Sequence, residues 1–265
     1  QFEDMGIDII PAPGFQFSNV SVTINPLPEI SLKSLTIAPS ILALLSSKLG
    51  ASVSASGLFD GDMSASFKDQ SKDKKMLYEI GADWDDIGVG QILKLAKLTS
   101  FASGKFDGEI EGSIDPSFSE QPKGTLNVTS KKFELSELPM PFGGEMYYQP
   151  LPKPVRFKKI DLNLQLADKT LVIEKSTLLA SDDDLDCKVD GKIDLTLAMY
   201  GGNLVPQIGN FSINLDLKIG QQLLSALPLD LVLSTCKIGG EGGTLRYRCR
   251  ISGRAGSNPQ ITKIQ

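Results

Sequence analysis

Apolar and polar residues alternate with a period of two along much of this chain, most cleanly in Ile160-Asp161-Leu162-Asn163-Leu164-Gln165-Leu166. Successive side chains of a β-strand point to opposite faces, so this pattern makes a strand with one dry face and one wet face. The same alternation runs through Ile193-Asp194-Leu195-Thr196-Leu197 and Phe211-Ser212-Ile213-Asn214-Leu215-Asp216-Leu217. It also marks Leu126-Asn127-Val128-Thr129 and Leu245-Arg246-Tyr247-Arg248-Cys249-Arg250-Ile251. Ile30, Leu32, Leu35 and Ile37 alternate too, with one phase slip. Strands wet on one face belong to antiparallel sheets, because parallel strands are covered on both. The expected fold class is mainly β, with an antiparallel sheet and a few short α-helices.

Helices are expected at three places. Pro39 to Ser46 has a proline suited to a first turn and then a short apolar run. Asp83 to Leu98 carries an apolar face behind Asp83, Asp85 and Asp86, which suit a helix start. Ile219 to Leu227 offers Leu223, Leu224 and Leu227, and a short turn is expected at Glu134–Leu138. The helix from Asp83 leads to a glycine-bearing strand at Gly104–Gly112 and then Asp115-Pro116. The helix near Gln221–Leu227 leads to Gly242-Gly243, Ile251–Arg254 and Asn258-Pro259. Such weakly repeated units suggest one elongated sheet over residues 1–265 rather than a closed ball. A possible internal division lies at the prolines between 139 and 154, preferred here as a loop or edge within one sheet.

The chain holds no histidine and three cysteines. That excludes imidazole catalysis, His-based triads, His-ligated zinc and four-thiolate zinc. With 27 Lys+Arg against 32 Asp+Glu, a nucleic-acid partner is not expected. No Gly-rich phosphate loop, nucleophile elbow or metal spacing occurs, so no enzyme activity, cofactor or metal is expected. No apolar run is long enough to cross a bilayer. The chain begins with Gln, so a processed or trimmed form lacking an N-terminal anchor is expected.

Cys236 and Cys249 flank a segment with Gly242-Gly243 at its midpoint. Two glycines between strand-like flanks favour a two-residue turn with both φ angles positive. Counting outward pairs 241 with 244 and, five steps on, 236 with 249. That pair would be non-hydrogen-bonded, with Cα atoms about 4.5 Å apart, inside the disulfide range. A Cys236–Cys249 disulfide is expected, hence an oxidising compartment. The alternative is two small buried hydrophobes that face each other. Cys187 is left unpaired.

Ser181–Asp186 is the densest charge run, but calcium-ligand spacing is absent and a solvated turn is preferred. Asn19, Asn127 and Asn210 match the glycosylation pattern, which is common by chance. Arg246, Arg248, Arg250 and Arg254 form a basic stripe on the last long strand. It reads either as a solvated, edge-protecting face or as a contact for an acidic partner or anionic lipid head groups.

Taken in order, several of these segments resemble one family. They are Asn19–Val22, Ile30–Pro39 with its Leu-rich helix, Gly57-Leu58-Phe59-Asp60-Gly61 and Asp83–Leu98. Gly104–Gly108 and the ending Ile251-Ser252-Gly253-Arg254-Ala255-Gly256-Ser257-Asn258-Pro259 complete the series. The chain resembles the GspN family of bacterial type II secretion proteins, itself similar to AsmA-like proteins. The paired cysteines and the missing anchor depart from that pattern. The resemblance implies a periplasmic domain held at the inner membrane by one N-terminal helix. It implies a strongly bent sheet, a partly open half-pipe with an apolar interior, and no catalytic residues. Other type II secretion components are the implied partners, and phospholipid is the alternative one.

Overall fold

The computed structural model describes residues 4–8, 14–23, 29–40, 43, 45, 48–72, 76–98, 100–130, 132–142, 145–181, 185–200, 203–227 and 233–264. The chain is mainly β, and every ladder described is antiparallel. It divides into two compact units, one of residues 1–100 with 105–126 and one of residues 101–104 with 127–265.

The first unit carries β1 (Asp4–Asp8), β2 (Gly14–Val22), β3 (Ile30–Pro39), β4 (Gly50–Leu58), β5 (Gly61–Asp69) and β6 (Tyr78–Gly88). Helix α1 (Val89–Leu95) follows. After β7 (Ala102–Ser103), which belongs to the second unit, comes β8 (Lys105–Ile114). In this unit β1, β2, β3, β4, β5, β6 and β8 pair in that order. The expected helix at 83–98 is therefore corrected at its start: Asp83 to Gly88 continue β6, and the helix begins at Val89. Alternation wins there, because Ala82, Trp84 and Ile87 need a common partner strand. Asp83 and Asp85 stand on the wet side of β6, and Asp86 has a φ of 58° at a ladder irregularity. Of the expected helix at 39–46, Ala43 and Leu45 are helical, and residues 41–42, 44 and 46 lie outside the described residues.

The second unit follows β9 (Lys123–Ser130), which begins in the first. Its strands are β10 (Phe133–Phe142), β11 (Glu145–Ala167), β12 (Thr170–Ala180), β13 (Leu185–Tyr200) and β14 (Asn203–Gly220). Helix α2 (Gln221–Ala226), a 3-10 turn at Ser234–Cys236, β15 (Lys237–Glu241), β16 (Thr244–Arg254) and β17 (Gln260–Lys263) complete it. β7 pairs with β10, and β10 through β14 pair in sequence order. β14 pairs on with β16, which also holds β15 and β17. The turn expected at Glu134–Leu138 is strand in β10, with a register shift between Leu135 and Glu137. The prolines at 139–154 run within β10 and β11, not between the two units. Of the charged run, Ser181, Leu185 and Asp186 are described, and 182–184 lie outside the described residues.

The second unit has a closed core. Tyr247, Ile219, Leu217, Cys236, Cys249, Leu223, Leu224, Leu233, Val155, Phe157 and Ala180 form one buried cluster. Tyr247 and Cys249 reach it from β16, and α2 supplies Leu223 and Leu224, which is why the apolar face of that helix is short but complete. Burying a Leu or Ile side chain contributes about 1.5–3 kcal/mol.

Among the described residues, three hairpin turns have two residues with positive φ, the mirror-image geometry that matches strand twist. Gly242 and Gly243 form the one expected from sequence. Phe59-Asp60 and Asp168-Lys169 form the others, at positions where side-chain-bearing residues are uncommon.

Candidate functional site

The first unit is amphipathic across its whole sheet. Phe15, Ile37, Val53, Ala65, Ala82 and Ile110 are paired in one row across β2, β3, β4, β5, β6 and β8. Phe17, Leu35, Ala55, Met63 and Trp84 form the next row on the same face, ending at Gly108. Pro39, Ala51, Phe67 and Ile80 form a third, ending at Gly112. The rows between belong to the opposite face and are polar, as in Gln16, Thr36, Ser54, Ser64, Asp83 and Glu109. A strict period of two produces this separation even where β4 carries only small residues, alternating as Ala51-Ser52-Val53-Ser54-Ala55-Ser56.

The apolar face remains open to solvent. Phe15 is 49%, Ile37 38%, Val53 37%, Ile80 39% and Ile110 37% exposed. Water-exposed aliphatic side chains are ordinary one at a time, but a contiguous set marks a contact surface. Trp84 meets Phe106 edge-on at 6.3 Å, and its indole N–H is buried without a hydrogen-bond acceptor. At Asn19, with a φ of 50°, β2 slips phase and the buried positions pass to Val20 and Leu32. Those two residues, with Gln91, Lys94 and Leu95 of α1, line a cleft of about 750 Å³.

The polar face of the same unit carries a smaller cleft of about 320 Å³, lined by serines, Thr36, Asp62, Asp83 and Asp85. Ser64 donates to Asp83, and Asp62 is held below the ordinary carboxylate range by the Ser56 hydroxyl and the Gly57 N–H. Asp62 and Asp83 are thus each occupied by a neighbour. Among the described residues no group of three or more Cys, Asp or Glu is placed to hold a metal ion. Asp115 is also committed internally: it accepts from Ser117, Ser119 and the Glu120 N–H, which hold its carboxyl far below the usual range.

The structure splits the arginine stripe. Arg246, Arg248 and Arg250 do share the outer face of β16. Arg248 pairs with Asp216 at 3.0 Å, and Arg250 donates to Asn214, which donates to Asp190 at 2.8 Å. Those two arginines, with Lys175, Lys188, Asp190 and Asp216, line a cleft of about 570 Å³. Arg246 stands opposite Lys218, and Arg254 opposite Asn210 at the end of the ladder. Half of the stripe is thus taken up in cross-strand pairs, worth roughly 0.2–1 kcal/mol each when exposed.

The expected disulfide is not formed; Cys187, Cys236 and Cys249 are free. The register holds for 241/244, 240/245 and 239/246 and then slips, since Lys237 stands opposite Tyr247. Ile238 is an extra residue in β15, and it moves Cys236 off the ladder into the 3-10 turn. The two thiols still neighbour each other on the buried face, and both residues are inaccessible. Burial and the Cys236 contact push the Cys249 thiol up to about 12. The thiolate that would begin disulfide exchange is therefore suppressed. Cys187 is pushed up to about 11 by burial and by Asp186 and Asp216.

Sequence reasoning singled out arginines and cysteines and did not single out the open apolar rows. The signal was present in the alternation of β4 and β5, but alanine and serine carried it. Comparison with known protein families, with curated proteins and with solved structures finds no match to this chain.

Proposed function

We propose that this chain is a non-enzymatic lipid-binding module that holds acyl chains against the apolar face of the first unit. The observation that carries this reading is the set of contiguous apolar rows, with Phe15, Ile37, Val53, Ile80 and Ile110 each more than a third exposed. A row crossing six strands is about 24 Å long at the usual strand spacing. The hydrocarbon of one bilayer leaflet spans only about 15 Å, so a whole acyl chain fits along the row. Apart from the Trp84 indole, no side chain in these rows can donate or accept a conventional hydrogen bond. Recognition is then non-directional and suits hydrocarbon, at about 0.8 kcal/mol for each methylene removed from water.

A place in a type II secretion machine and in the periplasm rests on the family resemblance alone, and the site adds nothing to it. The test is lipid extraction and native mass spectrometry of the purified chain. Co-purifying phospholipid, or stoichiometric uptake of a fluorescent fatty acid, is expected. A chain that carries no lipid and takes up none would overturn the reading.

A further inference from the structure

A second apolar feature lies in the other unit and has a different form. β12 makes its last pairing with β13 at Asp194, and β16 makes its last pairing with β14 at Asn210. The β13–β14 ladder continues beyond both, from Leu195↔Ile208 to Tyr200↔Asn203. This two-stranded arm reaches about 20 Å past its neighbours at the rise of a strand. No charged residue occurs from Leu195 to Leu215. On one face of the arm Leu195, Leu197 and Met199 stand opposite Ile208, Pro206 and Leu204. Met199 is 45%, Leu204 48% and Ile208 54% exposed, and Tyr200 and Val205 of the other face are 56% and 37% exposed. A two-stranded hairpin is marginal in water by itself, and one with apolar side chains on both faces is poorly matched to water.

We propose that the apolar side chains of this arm, Met199, Tyr200, Leu204, Val205 and Ile208, dock the protein on a lipid bilayer, entering its interfacial layer. The contact surface carries no charge, so it neither requires nor excludes an anionic partner. The backbone disfavours an added protein strand on the β14 side. The Leu195 N–H points out of the hairpin, to the Lys169 carbonyl at 2.8 Å. By ladder alternation the Leu197↔Pro206 pair has the same orientation, so the nitrogen of Pro206 faces outward and has no N–H to give. Edge prolines of this kind block strand addition, whereas a lipid surface asks for no directional bond. The open edges of the arm keep it out of the hydrocarbon centre, where unsatisfied backbone groups are too costly. The interface retains water for them. Tyr200 suits that depth, since its ring is apolar and its hydroxyl accepts from Gln207 at 2.9 Å.

The test is flotation of the full chain with phosphatidylcholine vesicles and with vesicles that also contain phosphatidylglycerol. Binding to both is expected, with less than a twofold change between about 0.05 and 0.5 M salt, because screening acts only on charge. The double variant Met199→Glu with Leu204→Glu is expected to lose vesicle binding at least tenfold, with an unchanged circular dichroism spectrum and urea midpoint. The same double variant is expected to take up fluorescent fatty acid as the wild type does, so failure of the acyl-chain reading and failure of this one give different results. No flotation of the wild type, flotation abolished by salt, or normal flotation of the double variant would overturn the proposal. So would a wild-type dimer, seen by light scattering, that the double variant dissolves while neither protein floats.

Discussion

Ile37 on β3 stands directly opposite Val53 on β4, and these two side chains, at the middle of an apolar row, are 38% and 37% exposed. A buried core pair would tolerate no charge there. An exposed pair tolerates it well, since surface substitutions usually change stability by about 0.5 kcal/mol or less. Val53→Glu is therefore expected to fold normally by circular dichroism and to lose fatty-acid uptake at least tenfold in a fluorescence titration. A variant that unfolds would mean that the row is part of a closed core.

The two units should respond differently to truncation. Leu224 is buried in the cluster around Tyr247, and Leu224→Ala is expected to cost about 2–5 kcal/mol in urea unfolding. Ile37→Ala removes a similar volume from an exposed site and is expected to cost less than about 1 kcal/mol. Equal costs would contradict an open apolar face.

The thiols are expected to be slow. At pH 8 a thiol raised to about 12 is ionised in roughly one molecule in ten thousand, which leaves almost no nucleophile at Cys249. Iodoacetamide should label the native protein slowly at Cys187 and Cys249 and rapidly after denaturation. The intact mass should correspond to three free thiols. A deficit of two hydrogens mapped to the peptides of Cys236 and Cys249 would contradict this.

Asp115 predicts a specific acid sensitivity. Hydrogen bonds from Ser119 and Ser117 hold its folded carboxyl below the ordinary value of 3.8. Its contribution is therefore complete above that value and is lost as pH falls toward the lower folded one. Asp115→Asn should have a lower Tm than wild type at pH 7 by a few degrees, and the gap should narrow between pH 4 and pH 2. A gap that stays constant with pH would assign the loss to packing instead.

Much of the second unit was legible in the sequence because its strands alternate large aliphatic residues with charged ones. Ile160–Leu166, Phe211–Leu217 and Leu245–Ile251 all lie in strands, and the Gly242-Gly243 turn has the expected positive φ at both residues. The first unit was harder. The alternation of β4 uses Ala and Ser, whose contrast is weak, and Asp83–Leu98 mixes the end of a strand with a helix of seven residues. Acidic residues suit a helix start, but here Asp83 and Asp85 are the wet positions of β6. Turn chemistry also hid two hairpins, because Phe59-Asp60 and Asp168-Lys169 adopt positive φ without glycine. The disulfide expectation failed on one inserted residue, Ile238, which a count outward from the turn cannot detect. The open apolar face depends on pairing between distant segments, from Phe15 to Ile110, and no local pattern reports that pairing.

The chain contains a single tryptophan, Trp84, and it lies in the apolar row next to Val53. Its emission can therefore report the occupancy of that face alone. The purified chain is loaded with phosphatidylcholine brominated on the acyl chains, separated from free lipid, and compared with the same chain loaded with unbrominated lipid. Acyl chains on this face predict strong quenching of Trp84 by the brominated lipid and its loss in Val53→Glu. Bound brominated lipid that leaves Trp84 emission unquenched would contradict the account.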